Sequence, residues 1–445
     1  MRTTTILSTS LLLLLLLLMV ASDSLGDWPQ WLGPQRDSVW REEGVLDRFP
    51  DGGLKVKWRA PVGLGYSGPA VAGGRVFLMD YLLTAGEVRN NPSDRDLLEG
   101  TERVLCFDSR SGELLWKHEY SRPYAISFGG GPRCTPTVDG DRVYALGAEG
   151  NLWCLSAQDG RVLWSKDFVA DYGAETPLWG VSAHPLVAGD KLFCVVGGQG
   201  SAAVAFDKHT GREVWRALSA EQQGYCPPTM IEYGGTRQLL IWHGDAINGL
   251  NPETGAVYWS VPIKPSYGMA IAAPRLAGPY LFASGFGNAG VLLKLSDAGP
   301  TAEIQWRGTP KQAFYSANAT PFLLDGVMYG CDIGSGALVA ARMADGERLW
   351  QTMEPTIGLD QRGRYGTAFL VRHADRFFLF SETGELILAH LSPEGYKELD
   401  RVSVLAPTNT VFGRSVVWSH PAFAARSLFA RNDKELVCVS LAAEE

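Results

Sequence analysis

The segment GPRCTPTVDGDRVYALGAEGNLWCLSAQDGRVLWSKDF, residues 131–168, decides the fold. It holds four short apolar runs that roughly alternate: CTPTV, RVYALG, LWCLS and RVLWSKDF. DG, EG and QDG separate them, and such residues mark tight turns because Gly and Asp tolerate the backbone angles a turn demands. Four short strands joined this way make one blade of a β-propeller.

The ending of this unit recurs. AFDKHTGREVW closes at Trp215, CFDSRSGELLW at Trp116, GLNPETGAVYW at Trp259 and AARMADGERLW at Trp350. The tryptophans at 116, 164, 215, 259, 306 and 350 are spaced by 48, 51, 44, 47 and 44 residues. A fixed period of this size is the signature of a repeat architecture. Further units begin near Ser67, Gly180, Gly224, Gly268, Ala317, Tyr365 and Trp418. In the unit from Tyr365, Leu399 stands where a tryptophan is expected. The last unit has three strands, and the N-terminal LKVKWRAPVG (54–63) supplies the fourth, with Trp58 in place. The fold expected is all-β: an eight-bladed propeller of four-stranded antiparallel blades over 54–445. Strand 54–61 closes it beside 435–440, because an open edge is an aggregation liability.

The repeated turn reads as structure, not catalysis. Asp207 can accept backbone N–H groups, Thr210 can do so more weakly, and Gly211 can take the left-handed conformation. Trp215 then wedges between blades, and His209 is expected in solvent. Strands bounded by turns also suit the 51 glycines and 14 tryptophans. The seven cysteines form no CxxC; Cys106, Cys154 and Cys438 share one repeat position, and Cys134 and Cys226 another. They read as buried apolar residues, not as a metal or disulfide framework. A net charge of −8 argues against a nucleic-acid partner.

Before the propeller come two segments. Arg2, the run LLLLLLLLMV (11–20) and VAS (20–22) read as a signal peptide over 1–22. The run is short for a membrane span, and no later segment looks transmembrane. The mature chain is expected to be exported, to the periplasm or beyond. Residues 23–53, with Trp28, Trp31 and Trp40, are expected to pack as an arm against the propeller, since exposed tryptophans are costly.

The unit V-Y-x-L-x-x-x-G-x-L-x-C-L-x-x-x-x-G-x-x-x-W resembles the PQQ-like β-propeller repeat. That repeat builds the eight-bladed quinoprotein dehydrogenases and the outer-membrane assembly propeller BamB. The segments FDKHTGREVWRAL, SETGELILAHLSPEGY and DWPQW are similar to a family of exported PQQ-like repeat proteins. The resemblance covers nearly all of 54–442 and implies the fold far more strongly than it implies PQQ binding.

Strand order locates a candidate site. The D-x-x-T-G turns and the turns between strands one and two share one face and are short. Connections between blades emerge on the other, with long individual loops at 117–133, 165–183, 307–320, 351–367 and 401–418, and the insertion 80–103. Function resides in such loops more often than in the scaffold. Most inner strands start with an x-Pro step, which places His184-Pro185 and His420-Pro421 equivalently in blades three and eight. Arg133, Trp179, His184, Tyr225, Asn318, Arg364, Trp418 and His420 are the candidate ligand-binding residues around the channel mouth. Polar groups edged by aromatics suit a small anionic or polyhydroxylated ligand. The histidines serve equally well as partners to each other across the channel.

Two functions follow. One is a non-catalytic binding or scaffold propeller, taking a small polar ligand or an envelope protein on the loop-rich face. The other is a PQQ- and calcium-dependent dehydrogenase of an alcohol or sugar. The resemblance implies for the second a calcium held by oxygen ligands, a carboxylate base and often a vicinal Cys-Cys pair. The sequence has no Cys-Cys pair, and Asp332, Asp171, Glu175 and Asp360 fall in later or long loops. No catalytic residue, metal ligand or firm cofactor is assigned from the sequence.

Overall fold

A computed structural model describes residues 26–359 and 363–443. The expected signal peptide 1–22 and Asp360 lie outside the described residues.

Eight antiparallel sheets form the propeller. The defining segment folds as read: Thr137–Asp139, Arg142–Leu146, Asn151–Ser156 and Val162–Asp167 pair in sequence order. Its fourth strand stops one residue early. The Asp167 carboxylate accepts the N–H groups of Val169 and Ala170, both at 3.0 Å, and starts a short helix, Phe168–Tyr172, that the strand pattern did not suggest. Val56–Pro61 pairs antiparallel with Glu435–Ser440 and completes the eighth blade.

The repeated turn works as a clasp. Asp207 Oδ1 accepts from the N–H groups of His209 (3.1 Å) and Thr210 (2.8 Å) and from the Thr210 hydroxyl (2.8 Å). Gly211 has φ +70°, and a Cβ there would stand 2.6 Å from the Trp164 ring of the preceding blade. Trp164 Nε1 in turn donates to the Lys208 carbonyl at 3.1 Å. Gly112 under Trp58, Gly160 under Trp116 and Gly255 under Trp215 repeat the arrangement. Each of these four tryptophans thus lies on the glycine of the next blade's turn, which needs Gly both for its backbone angle and for the close approach. His209 is about half exposed, as expected of a turn residue.

A one-residue bulge precedes the wedge position in every blade, as between Val162 and Trp164. Bulges twist an outer strand and disfavour pairing with another chain. The bulge corrects one assignment. In blade seven Asp400, not Leu399, takes the wedge register opposite Leu388, and Leu399 is the bulged residue. Asp400 accepts the Phe49 N–H at 2.7 Å instead of filling the seam with a ring.

All seven cysteines are free and buried, and burial pushes the Cys106 thiol up to about 11. Trp28, Trp31 and Trp40 are buried against the propeller. The arm bonds to inner-strand ends: Trp28 exchanges backbone bonds of 2.8 Å with Val71, Val138 N–H reaches the Pro29 carbonyl, and Arg372 N–H reaches that of Ser38. Arg36 donates to the carbonyls of His184 and Pro185, both at 3.2 Å. These contacts touch blades one, two, three and seven on the short-turn side, so the arm lies across that end of the channel.

Candidate functional site

On the opposite face the inner strands open into a pocket of about 1100 Å3, counting its mouth. Its inner end is closed by Trp31 of the arm. Arg133, Trp179, His184, Tyr225, Asn318, Trp418 and His420 all line it. Arg364 does not: its side chain is exposed, its carbonyl accepts from Arg414 at 2.8 Å, and the next residue, Tyr365, lines the pocket instead.

The lining follows a register that sequence spacing contains. The residue three before each inner-strand proline is Tyr66, Arg133, Ser182, Tyr225, Ile271, Asn318 or Trp418, and each of these lines the pocket. The x-Pro step fixes the chain as it turns from an inter-blade loop into the inner strand, so equivalent positions point at the axis. Tyr66 was legible by this rule. Trp31, Phe128 and Phe412 carry no such signal, because the arm and the loops lie outside the repeat.

The mouth is rimmed by rings. Centroid separations run Trp179–Tyr267 6.5 Å, Tyr267–Phe286 6.0 Å, Phe286–Tyr365 6.3 Å, Tyr365–Phe412 5.0 Å, Phe412–Phe128 6.3 Å and Phe128–Trp418 6.3 Å. Phe128, Tyr267, Tyr365 and Phe412 have φ of +52°, +58°, +62° and +51°. Bulky residues rarely take this left-handed conformation, which costs roughly 1–2 kcal/mol each. Tyr267 and Phe412 are nonetheless 70% and 48% exposed, so burial does little to offset that cost. Strain held in exposed aromatics around a cavity is a feature of binding sites.

The floor is neutral. The Trp31 ring lies on His184 at 4.7 Å with planes 17° apart, and meets His420 edge-on at 5.7 Å. Thr135 N–H donates to His184 Nδ1 at 2.9 Å, which puts the ring proton on Nε2. Burial, the facing His420 and nearby Arg36 hold His184 well below the usual histidine range. Burial lowers His420 to about 3. Arg36, beneath the floor, stands over the Trp31 ring at 5.5 Å, and burial lowers it to about 10.

The wall is polar and mostly engaged. Arg133 lies over the Tyr66 ring at 5.3 Å and donates to the carbonyls of Ser127 (3.0 Å), Phe128 (2.6 Å) and Gly131. The Tyr66 hydroxyl accepts from Asn409 at 2.8 Å, and Asn318 donates to Thr367 at 3.1 Å. Trp418 Nε1 donates to Glu382 at 3.0 Å, behind the lining; Arg414 pairs with the same carboxylate at 2.6 Å, and burial raises it. Asp332 is held by Tyr315 and Ser335, and Asp171 by the N–H of Asp167. Neither of them, nor Glu175, reaches the pocket.

Fold and site together define an eight-bladed PQQ-like propeller with a closed-ended axial pocket. Residues 100–352 match the family model described as outer membrane protein assembly factor BamB, and the chain belongs to that family. It is 28% identical over 155 residues to quinohemoprotein alcohol dehydrogenase ADH-IIG of Pseudomonas putida, covering 32% of this chain and 20% of the relative. It is 27% identical over 187 residues to BamB of Bordetella pertussis, covering 42% of this chain and 43% of the relative. The chain thus spans less than half the length of these curated relatives. Among solved structures, BamB from Moraxella catarrhalis superposes with TM-score 0.54 and 16% identity, covering 87% of this chain and 98% of that one. Quinohemoprotein alcohol dehydrogenase from Comamonas testosteroni gives 0.59 and 12%, covering 96% and 82%. These structures share the fold.

The dehydrogenase likeness raises PQQ with calcium, and the lining does not fit it. Calcium takes about six to eight oxygen ligands, chiefly carboxylates and carbonyls. Among the described residues no Asp or Glu lines the pocket, and its hydroxyl and amide groups include Tyr66, Thr320 and Asn318, already bonded to the protein. Among the described residues no group of three or more His, Cys, Asp or Glu could hold a metal. A carboxylate base for an alcohol proton is also missing from the lining among the described residues, Glu382 being tied behind Trp418. No helix of the described residues is long and apolar enough to cross a membrane.

Proposed function

We propose that this chain is an exported, non-catalytic binding propeller that seats a small ligand in the aromatic-rimmed pocket on its long-loop face. The observation that carries this reading is the lining: among the described residues, rings, neutral polar groups and one arginine, Arg133, converge there without a carboxylate. Concave, mostly apolar sites with a few placed polar groups suit ligand capture. Proton abstraction at an alcohol needs a positioned base within hydrogen-bond reach, and among the described residues the pocket offers two histidines whose lowered affinity for protons makes them weak bases. Export rests on the residue pattern of 1–22. The depth of the pocket favours a small molecule over a protein surface; an envelope protein remains the partner that the family description suggests.

The test is dye-linked oxidation of alcohols and sugars after reconstitution with PQQ and calcium, with calorimetric titration of PQQ alongside. We expect no turnover and no calcium requirement. Calcium-dependent turnover overturns the reading in favour of a quinoprotein dehydrogenase.

A further inference from the structure

We infer that residues 90–94 form a strap that gates the mouth of the pocket, swinging between two fixed ends and latched shut through Asn90; this rests on the pocket being a ligand site.

The strap is the tip of the blade-one insertion, between strands Arg75–Ala85 and Asp96–Asp108. Both of its ends are held. At one, the buried Asp96 carboxylate accepts from the Arg89 N–H at 3.1 Å and from the Arg89 Nε at 2.9 Å. At the other, Arg95 Nη2 donates to the Thr176 carbonyl at 3.1 Å, on the loop that follows blade two. Between them the strap keeps its own shape. Asn91 Oδ1 accepts from the Ser93 N–H at 3.0 Å, and Asn91 Nδ2 donates to Asp94 at 2.7 Å.

Its bonds to the rest of the fold all involve side chains. Asn90 Nδ2 donates to Asn409 Oδ1 at 2.7 Å and to the Thr410 carbonyl at 3.0 Å, and the Ser127 hydroxyl donates to the Asn91 carbonyl. Among the described residues no backbone–backbone hydrogen bond ties 90–94 to the propeller, and none of these residues is fully buried. Segments with few buried apolar contacts and exposed hydrogen bonds form the low-stability end of a fold and open while the rest stays folded. Asn90 has φ +51°, a left-handed conformation that asparagine tolerates better than most residues do.

The latch reaches the pocket. Pro92 of the strap lines the mouth, and so does Phe412, at the tip of the hairpin Asn409–Val411 and Arg414–Val416. On the wall, the Tyr66 hydroxyl accepts from Asn409 at 2.8 Å and donates to Asn90 Oδ1 at 3.4 Å. Asn90, Tyr66 and Asn409 thus form a triangle that couples a lining residue to the strap. A bound group that takes the Tyr66 hydroxyl loosens the latch, and a closed latch narrows the mouth. Lids of this kind admit a ligand when open and keep water out when shut.

The test places one reporter thiol in the wall of the full chain, Ser182→Cys, the seven native cysteines being buried. Its labelling is timed with a bulky reagent, fluorescein maleimide, and a small one, methyl methanethiosulfonate. Asn90→Ala and Tyr66→Phe, each added to the reporter, should speed the bulky reagent roughly threefold or more, as loss of a hydrogen bond allows, and leave the small reagent within about twofold. Hydrogen exchange without the reporter is the second measurement: amides of 88–95 should exchange faster in Asn90→Ala, and those of 75–81 should not change. Bulky labelling that neither variant speeds overturns the gate and leaves the pocket reading standing. Faster exchange that extends through 75–81 also overturns it, because the substitution then loosens the blade and not a latch. A reporter that resists both reagents in every background overturns the gate and the pocket reading together.

Discussion

Trp31 lies flat against His184, ring centroids 4.7 Å apart, although the two residues belong to different parts of the fold. One comes from the arm and the other from the start of an inner strand. The contact turns an open channel into a pocket with a floor. Removing a buried tryptophan typically costs about 3–5 kcal/mol. Trp31→Ala should therefore lower stability by that amount in urea unfolding; a loss below about 1 kcal/mol would show that the arm is not integral.

Blade clasps should weigh far more than their exposed neighbours. Trp215 is buried on Gly255, whereas His209 sits half in solvent. Trp215→Ala should cost about 3–5 kcal/mol. His209→Ala should stay within about 0.5 kcal/mol, as exposed substitutions usually do. Comparable losses for both would return the repeated turn to the list of functional sites.

Closure of the ring depends on the N-terminal strand. Val56–Pro61 is the outer strand of the blade that also contains the chain's last strand, Glu435–Ser440. Deleting residues 23–62 removes that pairing together with the arm and exposes a sheet edge. We expect an insoluble or unfolded product on gel filtration; a monodisperse, folded product contradicts closure by this strand.

Stability should fall on acidification through the floor histidines. Both have folded values lowered from 6.5, His420 to about 3. Below about 6.5 the unfolded chain binds protons that the folded chain refuses, so stability is full above about pH 7 and drains as pH falls toward 3. At pH 5 the loss through His420 is about 2 kcal/mol, and His184 adds to it in the same direction. His420→Gln should shrink the difference in urea midpoint between pH 7.5 and pH 5; an unchanged difference counts against a neutral His420.

The rim stores backbone strain at Tyr267, with φ +58° and a side chain 70% exposed. Glycine adopts this conformation freely. Tyr267→Gly should hold or raise stability by up to about 1 kcal/mol, after the entropy cost of glycine in the unfolded chain. It should also weaken any ligand seated in the rim. A clear loss of stability would mean that the ring, not the strain, governs this position.

The blade pattern was legible because each unit repeats its own chemistry: alternating strands, an Asp-to-Gly turn and a tryptophan for the seam. The x-Pro steps even carried the axial register, and with it His184, His420, Arg133 and Tyr225. Leu399 shows the limit. A bulge shifts register by one residue without changing spacing, so Asp400 took the wedge position unannounced.

By itself the sequence determined eight blades, their closure and the face on which a site could lie, since these follow from local periodicity and strand parity. Only the tertiary structure decided what the site is made of. Trp31 reaches the floor from a segment outside the repeat, and Phe128 and Phe412 reach the rim from irregular loops. Contacts between a non-repeating segment and a repeating one leave no period to read, because they depend on where the arm crosses the channel and not on the composition of either partner.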